Sequence, residues 1–170
     1  MNITNVHNSM ICLYRVIWVL KDHGRVAEAR YAFRTYIIQA FQDYYGEDAS
    51  TPTLPYFKPI QVLLEIFEED DSPKFDEYVN WILDNESRKM SPFLHNNMRS
   101  IARDGDSIFP EICLILMKRI NDERKDLLLE TGLDLAKNSM KEAEGIKHVF
   151  AYSQVKPIYD ALISSSEKEE

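Results

Sequence analysis

The sequence predicts an all-α chain of antiparallel helical hairpins, stacked as a short solenoid or an irregular helical bundle. Two observations carry that prediction. Apolar residues recur at spacings of three and four from one end of the chain to the other, and no stretch sustains the alternation of a half-buried strand. Glycine and proline punctuate these periodic runs. Gly24, Gly46, Gly105 and Gly145 follow helical stretches, where glycine takes the left-handed conformation that closes a helix, and Pro73, Pro92 and Pro110 stand near helix starts.

The first helix runs from about Asn5 to His23, with Val6, Met10, Leu13, Ile17 and Leu20 on one face. The second, from about Val26 to Tyr45, presents Ala29, Phe33, Ile37, Ala40, Phe41 and Tyr44. The short link at Gly24 lays the two antiparallel. After the proline-rich connector Ser50–Pro55, a third helix covers roughly Pro59 to Glu69 through Ile60, Leu63, Leu64 and Phe67. Ser72-Pro73 and Ser91-Pro92 each place a capping residue before a proline suited to the first helical position, and so open two more. The turn Asp104–Ser107 precedes a helix carrying Ile112, Leu114, Leu116 and Ile120. A long helix from about Asp122 to Glu144 contains Gly132, which is expected to bend it, and the last, Ile146 to Ile163, is expected to break or kink at Pro157. No fixed repeat period is found.

A chain of 170 residues suffices for one domain with its own core, expected over 1–163 with an internal boundary at 47–58. Residues 164–170 read as a flexible, solvated acidic tail. The net charge of −8 disfavours a phosphate-backbone partner, whose binding draws on clustered lysine and arginine, and disfavours an anionic membrane surface for the same reason. A basic protein partner fits that charge better. The apolar run Met10–Leu20 is interrupted by Arg15 and lacks the flanks of a signal peptide or membrane span, so the chain reads as cytoplasmic. Cys12 and Cys113 belong to no CxxC pair and sit in apolar runs, where buried, inert thiols are expected.

No Glu-x-x-His occurs, and His7, His23, His95 and His148 have no second ligand at helical spacing, so neither a di-iron bundle nor a local zinc motif is predicted. Asp104–Ser107 lacks the later positions of a calcium loop and reads as a helix cap. Phosphate loops and nucleophile elbows are also missing from the sequence. No catalytic residue, metal or cofactor is therefore assigned. The reading that follows is a helical module binding a peptide or protein partner. A second reading, a small acidic inhibitor masking a basic site on its target, rests on the acidic patch Glu68, Glu69, Asp70 and Asp71. A third is an enzyme or small-ligand sensor with an interhelical pocket. Nine tyrosines, eight phenylalanines and six methionines supply enough apolar surface for a homodimer or for a monomer's core.

The stretch Gly24-Arg25-x-x-Glu28-Ala29-x-x-x-Phe33 has a small residue where a neighbouring helix approaches and an aromatic one turn later that fills the space beyond. With Leu13, Val16 and Leu20 before it, this pattern resembles a tetratricopeptide helical hairpin over residues 13–40. The chain departs from that family at Ile17 and Tyr36, where small residues are usual, and at Phe41, where a proline is. The resemblance implies peptide binding across a face lined by first helices, here Tyr14, Arg15, Trp18 and Lys21, with the aromatic pair one turn apart beside two cations.

Overall fold

The computed structural model describes residues 3–39, 43, 57–67, 74–84 and 108–167; for 3–11, 14, 57 and 58 it describes the backbone path alone. Among the described residues the fold is all-helical, without a strand. The chain divides into two compact units, Met1–Asp71 and Ser72–Glu170. The connector Ser50–Pro55, Gly46, Gly105, His95, Ser72-Pro73, the helix expected after Ser91-Pro92, and the turn Asp104–Ser107 lie outside the described residues.

In the first unit, α1 (Ile3–Asp22) reverses into α2 (Val26–Ala32), which continues as a π-helical segment, Phe33–Ile38. The reversal has a definite bond pattern: Gly24 N–H donates to the Lys21 carbonyl (2.9 Å) and Arg25 N–H to the Leu20 carbonyl (2.8 Å). This is the Schellman closure, with Gly24 at the left-handed position, φ +73°. A Cβ on Gly24 would meet nothing within 4 Å, so glycine serves conformation there and not close approach. Ile17, Ala29, Phe33 and Ile37 are buried, so the expected packing of the pair holds where it is described. A π turn bonds each amide five residues back, which widens the helix and departs from the plain α-helix expected. Gln39 and Asp43 beyond it are helical, and the Gln39 amide donates to the Asp43 carboxylate at 2.8 Å.

The unit is completed by α3 (Phe57–Ile66), whose Ile60, Val62, Leu63, Leu64 and Ile66 are buried. A helix leaves its last four carbonyls without intrahelical donors. Two are met here: Phe67 N–H donates to the Leu63 carbonyl at 3.3 Å, and the Arg30 guanidinium on α2 donates to the Leu64 carbonyl at 2.6 Å. Phe67, expected on the core face, lies past the helix end and is exposed.

The second unit comprises α4 (Phe75–Leu83), α5 (Ile108–Met117), α6 (Arg124–Gly145) and α7 (Val149–Glu167). In α4, Tyr78, Val79 and Ile82 form the buried stripe, and the Trp81 ring meets Phe109 of α5 with centroids 5.9 Å apart. Arg124, at the start of α6, joins the Asp76 carboxylate of α4 at 2.8 Å and the Asp122 carboxylate before it at 2.8 Å. Asp122 also accepts the Arg124 backbone N–H at 2.9 Å, a cap for a helix start that has free amides. The Arg124 side chain chiefly, and then its backbone N–H, hold the Asp122 carboxyl below its usual range.

The helix α6 is continuous from Arg124 to Gly145 and passes through Gly132. The role of that glycine is space: a Cβ there would lie 3.0 Å from Cys113 Cβ on α5 and 3.3 Å from both methyl carbons of Leu162 on α7. Ala136, Ala143 and Ala151 continue a buried series of small residues on α6 and α7. Pro157 does not interrupt α7. Its ring is exposed, and α7 runs on through Glu167, so residues 164–167 of the expected tail are helical and 168–170 lie outside the described residues. The serines there stay with the backbone: Ser164 and Ser165 hydroxyls donate to the carbonyls of Asp160 (2.9 Å) and Ala161 (2.8 Å).

The α6–α7 corner corrects another expectation. Gly145 is the last residue of α6, and the left-handed position falls two residues later, on Lys147, φ 56°. Lys147 N–H donates to the Glu144 carbonyl (3.1 Å) and His148 N–H to the Ala143 carbonyl (2.8 Å), the same closure as at Gly24. His148 then caps the next helix, its Nδ1 accepting the Ala151 N–H at 3.0 Å.

Candidate interaction site

One helical turn decides what α1 shows to water. With Ile17 at the centre of the buried face, residues 12, 15, 16, 19 and 22 fall on the other side at 100° per residue. Cys12, Arg15, Val16, Val19 and Asp22 are indeed exposed. Val16 and Val19 keep 52% and 54% of their surface in solvent, so this helix has apolar side chains on its outer face as well as its inner one. The exposed Cys12 thiol overturns the expectation of burial, because an apolar run on a helix necessarily includes outward positions.

Of the residues predicted for binding, the Tyr14 side chain lies outside the described residues, Arg15 is exposed and Trp18 is half-buried. Lys21 is not on the outer face. It retains only 9% exposure, because position 21 is one turn from Ile17 and shares its side of the helix. Its ammonium stands 4.8 Å from the Trp18 ring centroid and 5.6 Å from that of Phe67, and 2.8 Å from the Asp22 carboxylate. Trp18 and Lys21 are thus brought together, and Phe67 and Asp22 join them. Periodicity places Phe67 on a core face and carries no signal linking it to α1, since that contact is made by tertiary folding alone. The acidic patch Glu68, Glu69, Asp70 and Asp71 lies outside the described residues.

The turn that follows α1 carries charged side chains. Arg25 pairs with Glu28 through two bonds, one of them Nε to Oε1 at 2.7 Å. The hydrogen bond from Arg25 is the main cause holding the Glu28 carboxyl below its usual range, and the same bond raises the Arg25 guanidinium. His23 stands at the C-terminal end of α1 as foreseen, and the Val19 carbonyl accepts both its backbone N–H (3.1 Å) and its ring Nδ1–H (2.8 Å).

A second exposed apolar cluster, Ile146, Val149 and Phe150, sits at the α6–α7 corner of the other unit. Among the described residues there is no group of three His, Cys, Asp or Glu side chains placed to hold a metal ion, and no helix is long and apolar enough to cross a membrane. No protein-family model, curated protein or solved structure matches this chain.

Proposed function

We propose that this chain is a cytoplasmic helical interaction module that binds a peptide or protein partner along the outer face of α1, in the manner its tetratricopeptide-like hairpin implies. The observation that supports this reading best is the outward placement of Val16 and Val19 beside Arg15 and the half-buried Trp18. Apolar side chains beside an arginine and a tryptophan offer a surface that can be desolvated together with two of the residue types enriched among the energetic anchors of interfaces. Arg15 and Trp18 are the partner-contacting members of the predicted set, and Lys21 supports the Trp18 ring from behind.

Affinity capture with quantitative mass spectrometry tests the reading, using wild-type bait against Val16→Asp/Val19→Asp and Phe150→Asp baits. A partner retained by wild type and by Phe150→Asp, but lost from the α1 variant at unchanged melting temperature, is the expected result. Equal recovery on all three baits would remove α1 from the interaction, and loss on Phe150→Asp alone would transfer it to the α6–α7 corner.

A further inference from the structure

The geometry around Lys21 points to an ammonium-binding cage that the free protein keeps filled with its own side chain. We propose that Trp18, Phe67 and Asp22 form a site for a lysine side chain of a basic partner, and that Lys21 is a displaceable plug. This deepens the α1 docking reading and rests on it for the identity of the visitor as a partner's residue.

Three features carry it. The Lys21 ammonium lies within about 6 Å of two ring centroids, the range over which an aromatic face attracts a cation. A carboxylate completes the set at 2.8 Å, giving the combination of quadrupole and charge that suits an ammonium. The exposures run opposite to those of an ordinary buried ion pair: the Lys21 side chain is 7% exposed while the Asp22 side chain is 42% and Phe67 43% exposed. Two of the walls, Asp22 and Phe67, are exposed and Trp18 is half-buried, while the occupant is covered. An incoming ammonium therefore meets the same partners from the open side, and the flexible four-carbon stem of Lys21 lets its head leave for water. The chain's net charge of −8 favours encounter with a basic partner.

An internal plug competes as a ligand at high effective concentration, so removing it must tighten binding of an external cation. Tetramethylammonium is the probe, in a Trp81→Phe background that leaves Trp18 the only tryptophan, with sodium chloride at matched ionic strength as reference. Lys21→Ala is expected to bind at least about tenfold more tightly than the parent, read as saturable change in Trp18 emission. Adding Phe67→Ala to that variant is expected to reverse the gain. Equal affinity with and without Lys21, or a gain that survives loss of Phe67, overturns the cage. If Lys21→Ala fails to fold by circular dichroism, the parent decides: ring currents are expected to place the Lys21 ε-methylene resonance upfield, and it must move downfield as the probe is added. A static resonance across the titration overturns the proposal. The probe needs no partner, so its failure leaves α1 docking standing, and a failed partner capture leaves the cage standing.

Discussion

The hairpins α1–α2 and α6–α7 reverse through the same pair of backbone hydrogen bonds, yet each uses glycine for a different purpose. In the first, glycine occupies the left-handed position and open space surrounds it, while the small residue buried in the pair is Ala29. In the second, a lysine takes the left-handed position, and glycine is kept for Gly132, where α5 and α7 leave no room for a side chain. One residue type thus serves torsional freedom in one unit and contact distance in the other. The bond pattern belongs to the closure and not to glycine, which lowers its cost without being required.

Substitutions that exchange these two roles test the distinction. The largest effect is expected at Gly132→Ala. A methyl 3.0 Å from Cys113 Cβ requires α5 or α6 to give by a few tenths of an ångström, and because a Cβ is fixed to its backbone the overpacking is expected at the upper end of its usual range, about 3 kcal/mol, a net loss of about 2 kcal/mol after the roughly 1 kcal/mol gained in helix propensity. Denaturant unfolding should show a lower midpoint, and shortening the neighbour with Leu162→Ala should reduce the penalty in a double-mutant cycle. A gain in stability would mean that Gly132 is only a weak point in α6. Next comes Gly24→Ala. No neighbour would be touched, but the left-handed backbone costs an L-residue about 1–2 kcal/mol, and Gly24→Asn should lose visibly less than Gly24→Ala.

The counterpart at the other corner has the opposite sign. Lys147→Gly should stabilise by about 0.5–1 kcal/mol, the relief of left-handed strain less the greater freedom glycine has when unfolded. A destabilised variant would show that the lysine side chain contributes more than its backbone costs. The smallest effect concerns Arg25 and Glu28 beside the first turn. The folded Glu28 carboxyl titrates below its unfolded value, so its contribution is present above the ordinary carboxylate range and fades as pH falls through the folded value. Because both groups are exposed, Arg25→Ala should reduce that acid-side slope only slightly, and high salt should mask the difference. An equal slope in both proteins would deny the pair any role in stability.

Periodicity made the helical class legible, together with α1, the Gly24 reversal and the burial of Ile17, Ala29 and Phe33. These depend on residues close in sequence. What was illegible depends on neighbours distant in sequence or on the choice among adjacent residues. Gly132 looked like a flaw in a helix because Cys113 and Leu162, which make it necessary, come from other helices. Gly145 attracted the closing role by its type, although the chain continues α6 through it and reverses at Lys147. Within the site, Arg15 and Trp18 follow from their helical positions. The turn of Lys21 toward Phe67 does not, since a long amphipathic side chain settles by which rings and carboxylates lie within reach.

The proline in α7 leaves one more mark. Residue 157 has no amide to offer the Ser153 carbonyl one turn earlier, and both residues face solvent. That carbonyl therefore lies on the solvent side of α7, where water can donate to it. The missing bond thus falls on the face away from the buried Val155 and Leu162, so the helix carries its proline where the cost of an unmade rung is lowest.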